Sequence, residues 1–147
     1  MRTPARVTVL WGPPCSGKST YIRDRAQGDD VIIDLDRIAQ ALAVEGTPNH
    51  SNARHHRKLA LDAREAIIHR AIVMASDDVR VWVVDSNADS AKRAEWKALG
   101  AEVVMLDTPR QVCEERAASE RPAAVRGLIA RWYATHEPDT VGKSREW

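Results

Sequence analysis

The run Val7-Thr8-Val9-Leu10-Trp11, followed at once by Gly12-Pro13-Pro14-Cys15-Ser16-Gly17-Lys18-Ser19, constrains this chain more than any other stretch of it. The first five residues read as a buried strand, and the next eight complete the P-loop pattern G-x-x-x-x-G-K-[ST]. A strand, a glycine-bearing turn and a helix in that order place successive backbone N–H groups and a helix N-terminus around an anion. Gly12, Pro13, Pro14, Cys15, Ser16, Gly17, Lys18, Ser19 and Thr20 are therefore expected to wrap the phosphates of ATP or another nucleoside triphosphate. Lys18 is expected to reach the β- and γ-phosphates, and the Ser19 hydroxyl to ligate Mg²⁺.

The remaining pattern extends that unit. Apolar runs at Val31-Ile32-Ile33, Val79 to Val84 and Val103 to Leu106 predict further strands, separated by helical stretches. Helices are expected near Gly17–Ala26, Arg37–Val44, Ala53–Ala75, Ala91–Leu99, Pro109–Ser119 and Pro122–Thr135. In the longest, Leu59, Ala63, Ile67, Ala71 and Met74 recur at helical spacing and are the expected buried stripe. Gly100 reads as a left-handed cap. Strands alternating with helices predict an α/β fold: a parallel sheet of about four to five strands, with helices on both faces. A chain of 147 residues holds one such domain, expected over residues 1–136, with a polar tail at 137–147. It is too short for an added helical domain, which disfavours a motor or remodelling ATPase.

With 22 Lys and Arg against 21 Asp and Glu, the net charge of +1 gives no global basic field, so any nucleic-acid contact is a local patch. Two cysteines, Cys15 and Cys113, form neither a disulfide framework nor a metal pattern, which suits a reducing, cytosolic setting. No leader is expected ahead of the first strand, and no apolar run approaches membrane-spanning length.

Ligands of parallel sheets gather at the carboxyl ends of the strands. The second strand ends at Asp34-Leu35-Asp36 and the third at Asp85-Ser86-Asn87. Asp85 stands where a carboxylate holds Mg²⁺ directly or through water; the competing role is a cap, by Asp85 or Asn87, on the following helix. Asp34 and Asp36 are both candidate bases for a hydroxyl proton, and either is a candidate cap of the next helix. Arg116, Arg121, Arg126 and Arg131 mark a C-terminal Arg-bearing lid able to spread the charge of a transferring phosphoryl group. The histidines at 50, 55, 56 and 69 are not spaced as metal ligands. Trp82 is expected in the core, and Trp132 and Tyr133 against the lid.

These features together resemble the P-loop polynucleotide kinase-like family, whose bacteriophage members phosphorylate a nucleic-acid 5′-hydroxyl from ATP. The resemblance rests on the P-loop, the acidic end of the second strand, Asp85-Ser86-Asn87, the segment 116 to 121 and Ile129-Ala130-Arg131-Trp132-Tyr133. It implies a P-loop kinase fold, with Lys18 and Ser19 on phosphate and metal. Asp34 or Asp36 becomes the general base, and Arg121, with Arg116 as substitute, the lid arginine. The family's arginine three residues after the base falls on Arg37 if the base is Asp34. The implied acceptor is a nucleic-acid 5′-hydroxyl; a modified DNA base or a nucleoside uses the same donor half, and a non-kinase P-loop NTPase or nucleotide-binding module is the remaining reading.

Overall fold

Four strands pair in parallel in the order β2-β3-β1-β4, namely β1 (Val7–Trp11), β2 (Val31–Ile33), β3 (Val81–Val84) and β4 (Glu102–Met105). The computed structural model describes residues 5–48, 52–86, 88–120 and 124–144. Every residue of β1 is buried, as a strand with a neighbour on each edge and helices on both faces requires. Its register sets Val7 beside Val81 and Trp11 beside Met105, so the strands end on one rim.

Alternation along the strands divides the core in two. One face gathers Val7, Val9, Ile33, Val81 and Val83 beneath α3 (Arg54–Met74) and α4 (Ser90–Ala98), through Ile68, Ala71 and Trp96. The other sets Leu10 and Trp82, with Ile32 and Val84, against Ile22 of α1 (Lys18–Arg25). The chain thus leaves β1 over one face to reach the sheet edge at β2, and returns over the opposite face. The crevice where these directions part lies at the ends of β1 and β3, beside the P-loop.

Two helix ends have clear chemistry. The cap of α4 is Asp89, whose Oδ1 accepts from the Lys92 amide at 2.8 Å, so the expected capping role of Asp85 is not the one observed; Asn87 lies outside the described residues. At the other end Gly100, at φ 84°, donates to Lys97 O at 3.0 Å while Ala101 N donates to Trp96 O at 3.1 Å. That is a Schellman closure at the glycine expected there.

The buried stripe of α3 is Ala60, Arg64, Ile68 and Ala71, whereas Leu59, Ile67 and Met74 are exposed. Ala71 is buried as expected, whereas the N-terminal part of the stripe is turned by one residue. The reason is that a charged residue, Arg64, occupies one of the inward positions. Farther on, α5 (Arg110–Glu120) is followed by α6 (Ala124–Ser144), which continues past the expected end near Thr135. Polar composition alone does not end a helix.

Candidate functional site

The P-loop turns through three positive-φ residues, Gly12 at 154°, Cys15 at 62° and Gly17 at 97°. A Cβ on Gly12 would stand 3.0 Å from both Leu106 O and Ser16 Oγ, so only glycine lets the loop pass that close to the end of β4. Cys15 carries a side chain in a left-handed conformation, a local cost of order 1–2 kcal/mol that surrounding contacts must offset. Those contacts are visible. Thr108 Oγ1 donates to Ser16 O at 2.7 Å, Arg116 Nη1 donates to Cys15 O at 3.1 Å, and Cys15 packs on the cluster of Cys113, Ala117 and Ile129.

Lys18 is only 8% exposed. Its ammonium donates to Gly12 O at 2.9 Å, Pro13 O at 2.6 Å and Ser16 Oγ at 3.3 Å, bracing the loop from inside. Ser19 and Thr20, on the first turn of α1, are exposed, and Gly17 precedes that turn without a side-chain cap. Anion-seeking N–H groups and a hydroxyl are thereby presented together. Pro13 and Ser16 are buried beneath them.

Asp85 stands at the end of β3, with its side chain 14% exposed and its amide donating to Leu10 O at 2.9 Å. Its Oδ2 is approached from behind by Trp96 Nε1 at 3.4 Å and Arg64 Nη2 at 3.8 Å. Arg64 is 8% exposed, and the same nitrogen donates to Val84 O at 3.0 Å. A buried guanidinium from α3 therefore holds the strand end and its carboxylate together. Neither Arg64 nor Trp96 was identifiable as a site residue by motif. The available signal was an arginine at helical spacing between Ala60 and Ile68.

At the sheet edge, α2 (Leu35–Leu42) begins at Asp34, whose Oδ1 accepts from Asp36 N at 3.0 Å. Asp34 is thus the cap. Asp36 instead meets Arg57 Nη1 of α3 at 3.1 Å. Asp34, Ser19 and Arg37 line one cleft of about 460 Å³ between α1 and β2, and no Asp36 atom lines it. Asp30, at the foot of this cleft, accepts from Gln27 N at 3.0 Å, Arg80 N at 3.0 Å and Trp82 Nε1 at 3.1 Å. Burial raises its pKa, but these hydrogen bonds outweigh it and hold the carboxyl below its ordinary value.

Of the lid arginines, Arg116 lies on the P-loop, Arg126 and Arg131 are exposed on α6, and Arg121 lies outside the described residues. Trp132 packs on Trp11 with ring centroids 5.9 Å apart, its Nε1 donating to Ser86 O at 2.8 Å. Tyr133 donates to Thr108 O and meets Cys113 Sγ at 3.7 Å. Burial raises the pKa of both the Cys113 thiol and the Tyr133 phenol. The rings of His55 and His56, in the first turn of α3, lie 4.2 Å apart and tilted by 50°, and His50 is outside the described residues. Among the described residues no group of three His, Cys, Asp or Glu is arranged to hold a metal by itself, and no helix is long and apolar enough to cross a membrane.

A family model described as an AAA domain matches residues 7–136. No curated protein matches the sequence significantly. Among solved structures, a chain of the Pnkp1/Rnl/Hen1 RNA repair complex superposes with a TM-score of 0.58 at 16% identity, covering 94% of this chain. This chain spans about half of that one, 47% of its length. Shikimate kinase from Acinetobacter baumannii, in complex with shikimate, superposes with a TM-score of 0.55 at 19% identity, over 92% of this chain and 78% of the other. At such identities the likeness is one of fold, and the fold is that of P-loop kinases.

Proposed function

The chain belongs to the AAA domain family, and from that premise we propose that it is an ATP-dependent phosphotransferase that moves the γ-phosphate to a hydroxyl. The resemblance to polynucleotide kinases points to a nucleic-acid 5′-hydroxyl, with a nucleoside or a modified DNA base as the other acceptors of the same donor half. The observation that carries the reading is the shared cleft. Ser19 at the phosphate end, Asp34 as a carboxylate and Arg37 as a cation line one opening beside the P-loop. A nucleotide switch or simple NTPase has no need of an acceptor chamber there.

In this mechanism the backbone of residues 12–19 holds the β-phosphate, and Lys18 exchanges its loop carbonyls for β- and γ-phosphate oxygens. Magnesium fits the donor set, since it is commonly held by few protein oxygens together with nucleotide phosphates. Ser19 Oγ and the Asp85 carboxylate would hold it, and when bound it neutralises charge on the phosphates. Asp34 accepts the hydroxyl proton as the acceptor oxygen attacks. Asp36 is the weaker candidate because Arg57 engages it. Arg116, which donates to the Cys15 carbonyl, is assigned to the transferring phosphoryl group, with Arg121 as the alternative lid cation.

The test is a γ-labelled ATP transfer screen against 5′-hydroxyl DNA and RNA oligonucleotides, hydroxymethylated DNA and nucleosides. Label on an acceptor, abolished by Asp34→Asn, is the expected result. ATP hydrolysis unchanged by every acceptor and by Asp34→Asn would sink the kinase reading.

A further inference from the structure

The cleft between α1 and β2 has an order that its volume alone does not reveal. Helix α1 descends from the rim while β2 climbs toward it, so Ser19 and Asp34 meet at the top, and Gln27, Gly28 and Asp30 meet at the foot. At about 1.5 Å per residue, Ser19 to Arg25 covers roughly 9 Å of helix, and Ala26 and Gln27 carry the chain on to the foot. At about 3.3 Å per residue, Asp30 to Asp34 covers roughly 13 Å of strand. Between helix and strand lie Ile22, Ala26 and Ile32, an apolar lining.

Charge is distributed unevenly along that length. Of the two arginines of the lining, Arg37 stands beside Asp34 at the top and Arg23 about half-way down, one turn below Ser19. The foot carries the Asp30 carboxylate, with the Arg80 cation near enough to act on it. Asp30 accepts from the Gln27 amide, the Arg80 amide and the Trp82 indole, so its carboxylate is fixed across the end of the cleft. A phosphodiester chain threaded downward would pass both lining arginines and bring its next phosphates to the Asp30 carboxylate, where no lining cation meets them. An uncharged ring meets no such barrier. Its faces would lie on Ile22, Ala26 and Ile32, and the Gln27 carboxamide supplies both a donor and an acceptor to its polar edge.

We infer that this cleft holds the body of the phosphate acceptor, and that the acceptor is one uncharged, ring-bearing molecule of nucleoside size, its hydroxyl at Asp34, not a strand. The inference rests on the kinase reading and narrows its acceptor. It assigns Ile22, Ala26, Gln27 and Ile32 to acceptor selection, and none of these belongs to the P-loop.

The full chain is assayed with γ-labelled ATP against the common ribo- and deoxyribonucleosides and against 5′-hydroxyl dodecamers of the same bases. Ala26→Trp, which fills the apolar lining, and Gln27→Ala, which only shortens an exposed side chain, are run beside it. The expected result is a nucleoside kcat/KM at least equal to that of the dodecamer. The nucleoside KM should rise about tenfold or more in Ala26→Trp and about threefold in Gln27→Ala, with the Kd of a fluorescent ATP analogue unchanged. Preference for the dodecamer by about tenfold, or transfer indifferent to both variants, overturns the cleft assignment and leaves the kinase reading standing. ATP binding without transfer to any acceptor overturns both. If Ala26→Trp does not fold, as judged by its melting transition, Gln27→Ala decides alone.

Discussion

The two halves of the rim are built differently. Around the P-loop nearly every group is tied: Lys18 to the loop's own oxygens, Thr108 to Ser16, Arg116 to Cys15, and Asp85 to Trp96 with Arg64 behind it. Across from it, at the edge strand β2, Arg37 is exposed and the cleft beside Asp34 is open. The tied half suits a phosphate ligand, because preorganised donors stabilise charge without reorganising. The open half suits a ligand that differs from one kinase to the next, since residues on an edge strand and a short helix change without disturbing the sheet. On the kinase reading, donor chemistry is thus assigned to the tied half and acceptor choice to the open one.

The sharpest way to separate the halves is Asp34→Asn. Asparagine keeps the cap on α2 but cannot take a proton, so transfer should fall about 10²–10⁴-fold while binding of a fluorescent ATP analogue persists. Asp36→Asn should cost far less, and an equal loss would reassign the base. Next comes the tied half: Lys18→Ala should lower transfer about 10²–10³-fold, with nucleotide affinity falling too. A variant that lost turnover but bound ATP normally would show that Lys18 acts only in the transition state.

Arg64→Met tests whether the tied half depends on α3. Removing one partner from a buried pair leaves Asp85 without its cation, and unfolding in urea should show a loss of about 3 kcal/mol, partly restored in Arg64→Lys. A neutral result would make Arg64 a bystander. The smallest effect belongs to the foot of the open half. Asp30 has a lowered pKa, so its contribution is present above the unfolded-state value of about 4 and is lost as pH falls through the folded value. Asp30→Asn should reduce stability at neutral pH by roughly 1 kcal/mol, and melting curves of mutant and parent should begin to converge only as pH falls below about 4.

The difference between the halves also explains what was legible in the sequence. The P-loop is contiguous, each of its residues has a fixed duty, and a strand precedes it, so eight letters carry both fold and ligand class. The parallel sheet followed from apolar runs spaced by helices. The cleft is assembled from the end of α1, both ends of β2 and the start of α2, and no local pattern records that Gln27 and Asp34 line one opening. Arg64 was hidden for another reason. Hydrophobic periodicity scores arginine as outward, so it selected Leu59 and Ile67 as the inner face of α3. The choice between Asp34 and Asp36 likewise required Arg57, a residue 21 positions beyond Asp36.

The indole of Trp96 is 2% exposed and its Nε1 points at Asp85 Oδ2. It is therefore a built-in optical reporter. Indole emission responds to nearby charge, and a cation drawn to the Asp85 carboxylate would change the field along that N–H. Loading of the donor site can thus be followed by unlabelled fluorescence, in step with turnover, with Trp96→Phe as the silent control.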